Sequence, residues 1–121
     1  MATIPSPERR FSCEVEPDRD SVRVVPVGEL DVDTAAAVEE HLREVLDSGF
    51  SEVVLDLRRL TFMDSTGLHL IFKADARAER DGTSFVVIPG PRAIQRLFDL
   101  TGTRGHLTFG EPGLGNGARR E

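Results

Sequence analysis

The chain is expected to fold as an α/β domain, with helices packed on a sheet that has parallel neighbours. Three observations lead there. Apolar residues recur at three- and four-residue steps in three separate stretches, short runs of β-favouring residues stand between them, and Gly or Pro punctuates most changes of period. The resulting order is β-β-α-β-α-β-α-β, and alternation of this kind implies parallel strands covered by helices. A length of 121 residues is that of one domain.

The elements follow in order. Residues 1–9, with Pro5 and Pro7, read as a flexible leader, and the domain is expected over 10–110. "FSCEVEP" and "SVRVVPVGEL" read as two short strands joined as a hairpin across the polar turn Pro17-Asp18-Arg19-Asp20. From Asp33 the period changes: Ala35, Val38, Leu42, Val45 and Leu46 form a helical stripe, with Asp33 or Thr34 as its N-cap and Gly49 at its end. "EVVLDL" is an almost continuous apolar run, as in an inner strand covered on both faces. Leu68, Ile71, Phe72 and Ala78 mark a second helix, closed by Gly82. "SFVVI" is another buried strand, broken by Pro89-Gly90-Pro91, and Pro91 suits the first turn of a third helix bearing Ile94, Leu97 and Phe98. "HLTFGE" reads as a last edge strand. Residues 111–121 are glycine-rich and read as a disordered tail.

Composition narrows the function. The formal net charge is −6 and the basic residues are scattered, which argues against nucleic acid and against anionic membrane surfaces, since phosphate neutralisation needs clustered Lys or Arg. No run approaches the roughly 18 apolar residues of a membrane-spanning helix. "MATIPSPERR" has no apolar stretch fit for a signal peptide, and the single cysteine, Cys13, cannot pair within the chain. A cytoplasmic setting is the expectation. With no Tyr in the chain, hydroxyl phosphorylation must fall on Ser or Thr.

The unusual stretch is "RLTFMDSTGLHLIF" at 59–72. Phe62 and Met63 run into Asp64, Ser65, Thr66 and Gly67 where a helix begins, in what reads as the loop after the central strand 53–57. Such loops, at the carboxyl ends of strands, are where function collects. The plain reading is an N-cap, because Asp and Ser side chains satisfy orphan N–H groups there at about 1 kcal/mol each. The same position also accepts an anion: a helix start carries free donors and partial positive charge. Phosphate on Ser65 would add about −1.5 to −2 charge units without melting the helix. A partner docked over this loop would lose its fit while the fold stayed intact. Phe62 and Met63 read as core or rim packing, and whichever is exposed would anchor a partner.

"GELDVDTA" at 28–35, "VVLDLRRLTFMDSTGLHLI" at 53–71 and "PRAIQRLFDLTG" at 91–102 together resemble the STAS domain family, most closely its anti-sigma factor antagonists. The signature element reads Asp64-Ser65-Thr66-Gly67-Leu68, and the resemblance spans roughly residues 11–110. It implies a STAS-like fold, a mixed sheet of four to five strands with helices mainly on one face, and a regulatory protein without catalysis or cofactor. By the same resemblance Ser65 is the phosphoacceptor of a serine kinase that is itself the anti-sigma factor. The unphosphorylated form binds that kinase and frees the sigma factor, and a serine phosphatase acting on phospho-Ser65 restores binding. Glu29, Asp31, Asp64, Thr66, Gly67 and Leu68 fall on the implied partner-binding face. Thr66 stands where many relatives carry a second serine. Related stand-alone domains also serve as scaffold subunits of stress-signalling assemblies or as accessory subunits of lipid transporters, which is the alternative.

Other chemistries fit less well. Asp56 ends a strand as the phospho-accepting aspartate of response-regulator receivers does, but the acidic pair and late lysine of that fold are missing, and Lys73, the sole lysine, lies inside a helix. A serine hydrolase would need a histidine on Ser65; His41, His69 and His106 are present, but the Gly-x-Ser-x-Gly elbow is not. No His or Cys pair has metal-ligand spacing. "GLGNG" near the C-terminus lacks the strand-to-helix setting of a nucleotide loop.

Overall fold

The computed structural model describes residues 11–110. The leader expected over 1–9 and the tail over 111–121 lie outside the described residues. Five strands and three helices follow the order β1 (Ser12–Asp18), β2 (Ser21–Leu30), α1 (Ala35–Asp47), β3 (Glu52–Asp56), β4 (Leu60–Met63), α2 (Ser65–Asp81), β5 (Ser84–Ile88) and α3 (Arg92–Leu100), then a single 3₁₀ turn at Arg104–His106.

The sheet is mixed. β1 pairs antiparallel with β2 through a two-residue turn in which Arg19 takes φ 61°, the left-handed geometry that matches hairpin twist. β2, β3 and β5 are parallel neighbours, and β4 runs parallel to the far half of β2. β2 is therefore the long central strand: Ser21–Val24 pair with β3 and Gly28–Leu30 with β4. Pro26 falls between the two partners. Gly28 N donates to Arg59 O, and the strand's two-residue repeat aims the Pro26 nitrogen to the same side, into the gap. A residue without an N–H leaves nothing unsatisfied there.

The hydrophobic core explains the layering. Val22, Val24 and Leu30 of β2, Val53 and Leu55 of β3, and Phe85 and Val87 of β5 form one cluster with Val38 and Leu42 of α1, Ile71 of α2, and Ile94 and Phe98 of α3. These strand residues alternate, so all three helices gather on one face of the sheet. Phe98 and Ile71 are fully buried, which is worth about 1.5–3 kcal/mol for each side chain.

Two expectations need correction. Asp64-Ser65 does not follow the strand expected at 53–57 directly, because β4 intervenes. Its four residues lie end to end with β3 along the same edge of β2, after the turn closed by Leu60 N to Leu57 O. The edge strand expected in "HLTFGE" is reduced to one bridge between Val87 and Phe109, with Val87 N donating to Thr108 O at 2.9 Å. Its first residue, His106, is taken by the 3₁₀ turn. Pro91 occupies the N-cap of α3, just before its first turn.

Candidate functional site

The end of the sheet beyond Leu30 and Met63 is built by two short segments, 28–34 and 60–67, brought side by side. Leu30 pairs with Met63 and Glu29 with Phe62, and Asp64 N donates to Leu30 O at 3.3 Å. Thr34 locks the first segment. Its hydroxyl donates to Glu29 O at 2.7 Å and accepts from Asp31 N at 3.0 Å, while Asp31 Oδ1 accepts from Asp33 N at 2.9 Å. Thr34 is the N-cap residue of α1, yet its side chain makes no cap hydrogen bond to that helix. It holds the loop instead.

The second segment settles the division of labour at the start of α2. Asp64 is the cap: its backbone is extended at φ −111°, and its carboxylate accepts from Thr66 N at 2.9 Å and Gly67 N at 3.4 Å. Ser65, the first helical residue, is exposed, and its hydroxyl makes no hydrogen bond among the described residues. The capping cost assigned to either residue by type belongs to Asp64 alone. Ser65 is free of structural duty.

Gly67 seats the helix. A Cβ there would lie 2.6 Å from Met63 Cγ and 2.9 Å from Leu30 Cγ, so only glycine lets the first turn rest directly on the core. Leu68 is buried as well. Of the residues expected at a partner face, Glu29 is exposed, Asp31, Asp64 and Thr66 are half-buried, and Gly67 and Leu68 lie beneath the surface. The structure brings all of them to one end of the sheet. Two residues outside that set join them: Phe62 is 47% exposed and Val32 is 73% exposed. For Phe62 the sequence left core and rim open, and the structure takes the rim; Val32 carried no signal in the sequence.

The remaining candidates are accounted for by structure. Asp56 is buried and takes Arg23 at 2.9 Å and Arg58 at 2.7 Å. Burial alone would raise its carboxyl, but the hydrogen bonds and charge of Arg58, with help from Arg23, hold it below the usual carboxylate range. It is a strand-end brace. Burial pushes the Cys13 thiol up to about 11, and Glu14 adds to the effect, so that thiol is a poor nucleophile at neutral pH. Among the described residues no cluster of three His, Cys, Asp or Glu side chains is arranged to hold a metal. No helix among them is long and apolar enough to cross a membrane.

At one end of the sheet stands an exposed serine beside a capping aspartate. The family model described as "Mlab, STAS domain" matches residues 13–108. An anti-sigma-B factor antagonist of Staphylococcus epidermidis is 34% identical over 77 residues, covering 64% of this chain and 71% of its own. A crystal structure of an anti-sigma factor antagonist from Mycobacterium paratuberculosis superimposes with a TM-score of 0.74 at 27% identity, covering 89% of this chain and 91% of that one. The antagonist SpoIIAA in its unphosphorylated form gives 0.71 at 18% identity, covering 84% and 90%. At that identity the likeness is one of fold. The chain belongs to the STAS domain family, among the anti-sigma factor antagonists.

Proposed function

We propose that this chain acts in partner switching, with Ser65 as the switch. Unphosphorylated, it binds an anti-sigma factor that is also a serine kinase and so frees the sigma factor. Phosphorylation of Ser65 ends that binding, and a serine phosphatase restores it. The chain contributes no catalysis of its own and works in the cytoplasm. Glu29, Asp31, Asp64 and Thr66 contribute to the docking face, which Gly67 and Leu68 support from below.

The observation that carries this reading is the free Ser65 hydroxyl at the start of a helix capped by its neighbour. Added phosphate there meets the positive end of the helix dipole, so the fold tolerates it. The docked partner does not. A kinase acting on Ser65 must hold its nucleotide over that hydroxyl, so the product phosphate faces the anionic phosphates of the nucleotide. It also adds about −1.5 to −2 charge units beside Asp64.

Incubation with the anti-sigma kinases of the source cell and ATP, followed by mass spectrometric mapping, tests the reading. Phosphate on Ser65 and loss of the complex are expected, with Ser65→Ala binding but refusing phosphate. Modification elsewhere, or none, overturns it. Recovery with membrane transporter components in place of a soluble kinase would favour the accessory-subunit alternative.

A further inference from the structure

Among the described residues, four large apolar side chains are exposed: Val15, Val32, Phe62 and Leu100. Val15 lies on β1 and Leu100 ends α3, each on its own element. Val32 and Phe62 share the rim around Ser65. Phe62 sits directly across from Glu29, and Val32 follows Leu30, the partner of Met63, by two residues.

The placement of Phe62 is built into the fold. The register slips between Gly28 and Glu29, so that Thr61 is an extra residue on β4, and Gly28 takes φ 111°. In a regular strand Leu60 and Phe62 would face the same way and Met63 the other. With one residue inserted, Leu60 and Met63 are both buried and Phe62 is turned out. A single inserted residue reverses every side chain beyond it. The bulge therefore spends a phenyl ring on the surface.

The surroundings describe what would cover that ring. Segments 28–34 and 60–67 carry Glu29, Asp31, Asp33 and Asp64, and no Lys, Arg or His. The neighbouring Arg58 and Arg59 are already paired, with Asp56 and Glu14. We infer that Phe62 and Val32 are the apolar anchors of the docking face, and that the partner presents an apolar pocket edged by Lys or Arg that meets Glu29, Asp31 and Asp33. The inference rests on the partner-switching reading and adds the chemistry of the partner surface. The anchors govern how long the complex lasts, because buried aromatic side chains dominate interface energy. The acids govern how fast it forms, because complementary charge steers encounter.

The test uses the full chain and the kinase that phosphorylates Ser65, with association and dissociation followed by surface plasmon resonance at low and high salt. Phe62→Ala is expected to weaken binding about 30-fold through faster dissociation, and Val32→Ala by a smaller factor in the same direction. Glu29→Gln is expected to slow association at low salt and to flatten the salt dependence. Circular dichroism of each variant checks that the fold is intact, as Phe62 is only half-buried. If Phe62→Ala and Val32→Ala bind like the unmodified chain, and that binding still ends on Ser65 phosphorylation, the anchor inference fails and the switch survives. If the unmodified chain binds no kinase, both fail. Concentration-dependent dimerisation of the chain that disappears in Phe62→Ala, seen by sedimentation, would assign the patch to a second copy and overturn the inference.

Discussion

Replacing Asp64 and Ser65 separately by alanine should divide stability from switching. The Asp64 carboxylate accepts two backbone hydrogen bonds at the start of a 17-residue helix. Losing a cap of this kind costs about 1–2 kcal/mol, and a carboxylate at the positive end of the helix dipole adds about 0.5 kcal/mol. Asp64→Ala should therefore lose about 2 kcal/mol. In a domain of this size that lowers the midpoint by roughly 8–10 °C. Ser65→Ala removes an exposed hydroxyl without a partner, and such surface changes stay within about 0.5 kcal/mol. Asp64→Asn keeps an acceptor and loses only the charge, so it should recover most of the deficit. Thermal and urea unfolding followed at 222 nm read all three. Equal losses for Ser65→Ala and Asp64→Ala would refute the division of labour, because the serine would then be bearing the helix.

Three further outcomes follow from the same geometry. Gly67→Ala should destabilise by about 1–2 kcal/mol in urea titration, since crowding against Met63 and Leu30 outweighs the helix-propensity gain of about 1 kcal/mol; a stabilised variant would contradict the close seating of α2. Asp56→Asn should cost about 2 kcal/mol at pH 7 by breaking a buried ion pair. The folded carboxyl lies below its ordinary value, so its contribution is complete above the unfolded carboxylate range and drains as pH falls through the folded value. The gap between the variant and the unmodified chain should thus hold from pH 7 to about 5 and narrow below about 4. With its thiol pushed up to about 11, Cys13 should have roughly one thiolate in a thousand at pH 8. Iodoacetamide should therefore label it far more slowly than the same residue in urea.

Much of the architecture was legible because its causes are local. The α2 boundaries follow from Asp64 and Gly82, which cap and close a helix by their own backbone chemistry. β3 and β5 announce themselves as apolar runs because both faces of these parallel strands are buried. β4 was hidden. It has four residues, its two buried positions are three apart, and no two-residue alternation reveals it. Pro26 would argue against a central strand, and only the gap between β3 and β4 makes its place harmless. The last expected strand contributes one bridge, to Val87 of β5, after the 3₁₀ turn that ends at His106.

What the sequence alone determined is which residues are present for the chemistry: the Asp-Ser pair at a helix start, the acidic loop at 29–33, and the family to which their spacing belongs. Only the tertiary structure decided their division of labour and their company. Capping fell to Asp64 because its extended backbone aims the carboxylate at the free N–H groups, leaving the Ser65 hydroxyl to solvent. Phe62 reached the surface and Met63 the core because one extra residue against Gly28 reverses the strand beyond it. That choice depends on the register between segments some thirty residues apart, which local preference does not encode.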